Sequence, residues 1–467
     1  MIRIDPMLKS RILDINLKYY GYSTLQLMEA AGKGIADTID KKANDIGIFC
    51  GIGNNGGDGF VAARYLVDSN KVTVYLVGDP SSIKTDEAAH NWALLEQVAK
   101  VSRDLSIIII SDSSQLTSLK RQISSHQVIV DSMLGVGIDG EPREPICSVI
   151  RSLNSIHSKI MLKISIDIPS GYGTKISFDC SRVISMHSGK IEDKSIKCSV
   201  VDIGIPAAFD SVTGPGNVAL LRRRDDASHK GDNGKVLIIA GSKRYHGACV
   251  FAGLAASKFV DLVHVVTTKD NIEIMKKAYP GFIVTSVDDF DLSRFKEFDA
   301  ILVGPGLSLD NTVMRRIVKQ ALIAKKKIVI DAGAFDIVDP KDLHDKCILT
   351  PHHSEFKKFF GKDPEHIAEI SKKGFTIVLK GHVDQIAKDG VSYRNYSGNS
   401  QMTTGGTGDV LAGMISGILA KNPCLESALG GTFLCGFAGD TMAGQPFDAN
   451  DLIEKIRFAS EKIKSFK

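Results

Sequence analysis

The chain of 467 residues reads as an α/β protein built on two open, doubly wound sheets. Three observations predict this. Apolar runs of strand length alternate with helix-length segments along almost the whole chain. Loops rich in aspartate and glycine follow those runs, at the carboxyl edge where open α/β sheets place ligands. The alternation breaks once, around Pro206, Gly214, Pro215 and Gly216, which divides the chain into residues 1–212 and 213–467.

Composition narrows the function. The net charge of +4 is small for this length and no basic-aromatic stripe stands out, which argues against nucleic acid as a partner. The eight cysteines form no C-x-x-C pair, a pattern that fits reduced thiols better than a disulfide framework or a zinc site. The first residues lack the apolar core of a signal peptide, and no apolar run is long enough to span a bilayer, so a cytoplasmic protein without membrane partners is expected.

In the first half, Ser23-Thr24-Leu25-Gln26 offers a capping box for a helix carrying Leu27, Met28, Ala31 and Ile35 at helical spacing. Ile46 to Cys50 reads as a buried strand, Asp58 to Val67 as a helix and Lys71 to Val77 as a second strand. Between the first two lies Gly51-Ile52-Gly53-Asn54-Asn55-Gly56-Gly57-Asp58-Gly59. Taken literally it contains G-x-G-x-x-G, with Asp79 near the spacing of a ribose-binding acid, a weak signal alone. The adjacent amides say more: they add carbonyl oxygens and N–H donors suited to an anion and a monovalent cation. Further strands are expected at Ser106–Ile110, Gln127–Val130, Ile160–Ile168 and Lys197–Ile205. Two of these runs end in acids, Asp131 before Ser132-Met133-Leu134-Gly135-Val136-Gly137 and Asp167 before Ile168-Pro169-Ser170-Gly171.

This set, with Leu27-Met28-Glu29-Ala30-Ala31-Gly32 ahead of it, closely resembles the N-terminal domain of bacterial NAD(P)H-hydrate repair enzymes. That domain has a Rossmann-like three-layer fold and interconverts the R and S forms of hydrated NADH and NADPH (NADHX and NADPHX). The resemblance implies substrate contacts at Asn54, Asn55, Gly56, Gly57 and Asp58, along Gly135, Val136, Gly137, Ile138, Asp139, Gly140 and Glu141, and at Asp167. It implies potassium on Asn55, Asp131 and Ser170, and oxygen donors of this kind suit a weakly hydrated cation. Asp167 is the expected proton-transfer group, because the hydrated carbon bears a hydroxyl beside the ring nitrogen. Some members carry a lysine where this chain has Asp139-Gly140-Glu141, so any chemistry that lysine assists requires another group here.

A second α/β series starts at His229-Lys230-Gly231-Asp232-Asn233-Gly234, with strands expected at Val236–Ala240, Leu262–Thr267, Ala300–Val303, Lys327–Ile330 and Thr376–Leu379. Their loops hold Gly304-Pro305-Gly306-Leu307, Asp331-Ala332-Gly333-Ala334, Thr350-Pro351-His352-His353-Ser354-Glu355 and Lys380-Gly381-His382. Most informative is Thr404-Gly405-Gly406-Thr407-Gly408-Asp409, which runs into an apolar helix. Backbone N–H groups of Gly405, Gly406, Thr407 and Gly408 at a helix start make an anion hole. An acid beside it, Asp409, suits proton removal from a hydroxyl that attacks a phosphate.

The ordered set HKGDNG, GSKRYHGA, GPGL, DAGA, TPHHSE, LKG and GGTGDVLAG is similar to the C-terminal domain of the same enzymes, a ribokinase-like dehydratase for the S hydrate. It implies substrate contacts at Ala248, Gly306, His352 and Asp409, and nucleotide contacts at Lys380, Gly381, His382, Val383, Asp384 and Gly408. His353-Ser354 stands where the family commonly has Pro-Gly. By the same resemblance the co-substrate is ADP rather than ATP, magnesium accompanies it, and the assembly is a homo-oligomer, a tetramer or octamer. Three rivals compete with repair: a vitamin or sugar kinase, an N-terminal half that only binds ligand, and a nicotinamide dehydrogenase, for which no hydride-transfer site is evident.

Overall fold

A computed structural model describes residues 5–39, 45–137, 140–156, 162–222, 224, 227–308 and 310–466. The described chain forms two compact units. One comprises Tyr20–Ala207 with the helix start up to Arg11; the other comprises Ile12–Tyr19 with the chain from Ala208 onward. A contiguous division at 212/213 therefore misses the sharing of the Pro6–Tyr19 helix. The reason is local: buried Asn16 accepts from Gly216 N at 2.8 Å and lies 3.3 Å from the Asn217 side chain, which ties this half-helix to the second unit.

The first unit is a seven-stranded sheet of β1 (Asp45–Cys50), β2 (Lys71–Val77), β3 (Leu105–Ile110), β4 (Val128–Ser132), β5 (Leu162–Ile166), β6 (Arg182–Met186) and β7 (Lys197–Val201). Its order is β3-β2-β1-β4-β5-β6-β7, and all pairs are parallel. Successive side chains point to opposite faces. Ile46, Ile48 and Cys50 join one core with Phe60 and Trp92, while Phe49 joins another with Tyr75, Val149 and Ile150. Two apolar faces require two covering layers, hence a three-layer sandwich. The chain reverses direction across the sheet between β1 and β4, which opens a crevice beyond their carboxyl ends.

Helix Asn54–Leu66 begins four residues before the expected Asp58, so Asn54 to Asp58 form its first turn rather than a loop. Packing overrides the poor helix propensity of Gly56 and Gly57, since any Cβ there would strike the Gly51 carbonyl or the Met28 thioether. Helix Thr24–Thr38 starts as expected, with Met28, Ala31 and Ile35 buried, but Ser23 makes no side-chain cap.

The second unit has β8 (Lys235–Ile239), β9 (Leu262–Thr267), β10 (Ile283–Ser286), β11 (Ala300–Val303), β12 (Lys327–Ile330), β13 (Cys347–Leu349), β14 (Thr376–Leu379), β15 (Asp384–Lys388) and β16 (Val391–Asn395). They lie in the order β10-β9-β8-β11-β12-β13-β14-β15-β16, parallel up to β14 and antiparallel beyond. HKGDNG lies before β8, at the amino edge, where Gly231 N and Asn233 N bond to Asp261. That motif organises a turn far from the carboxyl edge of its own sheet.

Helix Thr407–Leu419 sets the position of the second site. It lies against helix His246–Ser257 through small residues: a Cβ on Gly413 would fall 2.3 Å from the Ala252 carbonyl oxygen. One on Gly417 would fall 2.9 Å from that of Ala256. Backbones thus meet without a side chain between them. Gly413→Ala is expected to lower stability by about 1–3 kcal/mol in denaturant unfolding, although alanine is the better helix former by ~1 kcal/mol. A stabilised variant would refute the close contact.

Candidate functional site

In the first unit, loops from β1, β4, β5 and β6 converge. Asp131, at the end of β4, is fully buried and receives four bonds: Ser170 Oγ at 2.6 Å, Ser170 N at 2.8 Å, Ser165 Oγ at 2.9 Å and Met133 N at 3.2 Å. Burial pushes its carboxyl up, and these bonds only partly oppose it. Ser170 Oγ also receives Leu134 N at 2.9 Å.

Asn55 stands on the first helical turn, its carbonyl accepting from Ser132 Oγ. Both polar atoms of its side chain are buried without a partner among the described residues, an arrangement that costs about 1–3 kcal/mol unless a ligand meets it. Amide oxygen, hydroxyl and carboxylate are donor types that suit a monovalent cation; of the three residues Asn55 has the unengaged side chain among the described residues, while Asp131 and Ser170 are bonded to each other and to neighbouring backbone.

Asp167 follows β5 with φ +70°, left-handed, and is buried. Few non-glycine residues adopt this conformation, although aspartate tolerates it, and such outliers concentrate at functional sites. The turn is over-determined: Asp167 N bonds to Ile184 O at 2.8 Å, and Ser185 Oγ to Asp167 O at 2.9 Å. Oδ1 is paired with the buried Lys190 ammonium. Oδ2 accepts a long bond from Val136 N, 3.4 Å, and faces Gly135. A Cβ on Gly135 would lie 3.2 Å from Oδ2 and 3.5 Å from Asn55 Cγ, so this glycine leaves the gap that separates the two side chains. Gly135, Val136 and Gly140 line a cavity of 370 Å³ with Ile168, Tyr172 and Arg11.

Other expected contacts are distributed differently. Gly56 and Gly57 are buried by packing, and Asn54 accepts from Thr85 Oγ1. Asp58 is half-buried and Gly137 open. Glu141 accepts from Lys175 N at 3.2 Å. Ile138 and Asp139 lie outside the described residues. Asp79 caps its own turn through Ser81, whose bonds hold its carboxyl below the usual range.

The second unit gathers its loops at the carboxyl ends of β8, β11, β12, β13 and β14. Gly306, φ +63°, meets Ala248, whose Cβ would lie 2.8 Å from one placed on the glycine. Asp331, buried at the end of β12, accepts from Thr350 Oγ1 at 2.8 Å and pairs with Lys380 Nζ at 2.8 Å. Burial pulls the Lys380 ammonium down, but Asp331, Glu355 and Asp409 more than offset this and leave it above its ordinary value. The same Nζ would lie 3.6 Å from a Cβ on Gly408, at the start of the Asp409 helix.

Asp409 is in the first turn of that helix, whose cap Gly406 has φ +96°; Thr407 Oγ1 ties the turn to Met402 O at 2.7 Å. Gly405 is open to approach. Burial and the Asp331 carboxylate raise the Asp409 carboxyl to about 7, with Lys380 opposing them. A carboxylate tuned there is a base suited to neutral pH.

His352 caps helix His353–Phe360: its Nδ1 accepts from Ser354 N and Glu355 N, while His352 N donates to Glu355 at 2.8 Å. The proton is therefore assigned to the exposed Nε2. His353-Ser354 thus keeps a well-formed cap where the family has Pro-Gly. Asp384 is half-buried and engaged by Gly381 N at 3.0 Å and Asn395 Nδ2 at 3.1 Å, so it shapes the Lys380–Val383 turn. Within that turn, His382 is exposed and Val383 half-buried. Lys190 and Asp331 are the chemistry-bearing groups that reading the sequence missed; the signal for Asp331 was present, an acid at a strand end.

Fold and sites together define a two-part α/β enzyme, each part with a buried aspartate at the carboxyl edge of its sheet. A family model described as YjeF-related protein N-terminus matches residues 24–188, and one described as NAD(P)H-hydrate dehydratase matches residues 236–457. The chain is 37% identical to a bifunctional NAD(P)H-hydrate repair enzyme of Methanocaldococcus jannaschii, covering 95% of this chain and 91% of the relative. A relative of the same description from Archaeoglobus fulgidus is 33% identical, with 98% of both covered. Among solved structures, a ribokinase-like superfamily protein from Enterococcus faecalis is 26% identical, with a TM-score of 0.50 over 55% of this chain and 96% of that one. The chain belongs to the family of bifunctional NAD(P)H-hydrate repair enzymes. No helix of the described residues is long and apolar enough to cross a membrane.

Proposed function

We propose that the first unit interconverts R and S NADHX and NADPHX, and that the second dehydrates the S form to NADH or NADPH with consumption of ADP. The observation that carries this reading is the Asp409 carboxyl, raised to about 7 beside an open glycine turn and a lysine. Asp409 takes the proton of the ring hydroxyl, whose oxygen attacks the terminal phosphate of the nucleotide and releases AMP. The N–H groups of Gly405 to Gly408 and the Lys380 ammonium stabilise the charge on the transferring group. The ring nitrogen lone pair then expels inorganic phosphate, and loss of a proton from the adjacent carbon restores the dihydropyridine.

Magnesium, when bound, neutralises phosphate oxygens. The described residues form no cluster of three His, Cys, Asp or Glu side chains for a metal, which suits an ion that arrives largely on its nucleotide. In the first unit Asp167 moves the proton at the substrate hydroxyl, and potassium on Asn55, Asp131 and Ser170 would place the Asn55 amide. Ala248, Gly306 and the His352 Nε2–H border the hydrate in the second unit, while the Lys380–Asp384 turn flanks the nucleotide. A cytoplasmic homo-oligomer, tetramer or octamer, completes this reading by family likeness.

The test is recovery of reduced-nicotinamide absorbance from separated R and S hydrates, with potassium, magnesium and either ADP or ATP. Recovery from S at once, and from R faster than spontaneous epimerisation, is expected with ADP. A stable phosphorylated product would instead favour a small-molecule kinase.

A further inference from the structure

We propose that Lys190 is a positioning residue for epimerisation, fixing which oxygen of Asp167 meets the substrate; this rests on the epimerase assignment above. Asp167 and Lys190 follow adjacent parallel strands, β5 and β6, and the hydrogen bonds between Asp167, Ile184 and Ser185 hold the two strand ends in register. His187 takes φ +61° just beyond β6, and Ser188 N turns back onto Met186 O at 2.7 Å, so the chain doubles back and returns Lys190 to the end of β5. The ammonium is buried and lies on Oδ1.

Consequently the two oxygens of one carboxylate are not equivalent. Oδ1 is held by a charge-assisted bond, whereas Oδ2 has, among the described residues, the long Val136 N contact alone and borders the gap at Gly135. The proton of the substrate hydroxyl therefore moves to and from Oδ2, while Lys190 stays on Oδ1. A carboxylate released from this pair could rotate about its last bond and present neither oxygen correctly, and errors of about 1 Å at a reacting group can cost roughly 100-fold in rate. Because Lys190 acts through Asp167, its loss affects turnover more than binding.

The test measures R-to-S conversion by the full-length protein. Expected are a kcat about 100-fold lower for Lys190→Met with KM changed by less than about twofold, and recovery of at least about a tenth of wild-type kcat by Lys190→Arg. Saturable rescue of Lys190→Ala by added ethylammonium is the third expectation. Dehydration of the S hydrate serves as an internal control for the second unit. If Lys190→Met fails to fold, the arginine variant and the ethylammonium rescue decide. A Lys190→Met kcat within threefold of wild type, a loss confined to KM, or a folded Lys190→Ala that ethylammonium cannot rescue would overturn the proposal. Absence of epimerisation in the wild type would instead reject the assignment on which it rests.

Discussion

Asp409→Asn is expected to abolish recovery of NADH from the S hydrate, by about 10³–10⁴-fold, while making the protein more stable at pH 8. Asparagine fills nearly the same volume but cannot take the hydroxyl proton. The stability gain follows from the sign of linkage. In the folded state the carboxyl sits at about 7 against an ordinary 3.8, so between these values the folded protein binds a proton that the unfolded chain does not. Stability from this group is intact below pH 4, falls as pH rises, and is lost above pH 7. The gap corresponds to a few kcal/mol, on the order of 4, shared with Asp331 and Lys380. Asparagine removes that penalty, which thermal unfolding at pH 4, 5 and 8 would reveal as a difference that is small at pH 4, evident by pH 5 and largest at pH 8. The same carboxyl predicts the acid limb of wild-type dehydration: kcat/KM rises about tenfold per pH unit and levels off near pH 7. Unchanged dehydration by Asp409→Asn would remove this residue from the mechanism.

Asp167→Asn should leave S-hydrate turnover intact and reduce R-to-S conversion by about 10²–10⁴-fold. Asparagine is preferable to alanine here, because φ +70° is a conformation that Asn accepts and that a non-polar L residue resists. A mixed hydrate sample would then recover its S fraction rapidly and its R fraction only at the uncatalysed rate. Full recovery at wild-type speed would show that the first unit uses another base or only binds ligand.

Legibility from sequence followed a simple physical division. Strands built of aliphatic runs, such as Ile46 to Cys50 and Ala300 to Val303, announce themselves because both their faces are buried. Strand β6, five residues starting with a charge, and the β15–β16 hairpin, half exposed, carry no such run. Asp409 was visible as an acid next to glycine at a helix start, and Asp167 as an acid at a strand end ahead of Pro169-Ser170-Gly171. Lys190 was not, for its pairing depends on β5 lying beside β6 and on a turn at His187 that no local residue pattern encodes. The motif HKGDNG marks kinship yet folds at the opposite edge of its sheet from Asp409, so a shared motif is no guide to place. Ser23 illustrates the reverse error: the right residues for a capping box, with no side-chain cap formed.

The contact of Gly413 and Gly417 with the backbone of Ala252 and Ala256 has a mechanical consequence. At Gly413 backbone meets backbone, so no rotamer change there can absorb a displacement, and the helix carrying Asp409 is seated on something close to a rigid bearing. Warming the protein should therefore not detune the dehydration step gradually. Activity should follow an ordinary temperature dependence up to the unfolding transition and then vanish within it, as a latch releases and not as a spring relaxes.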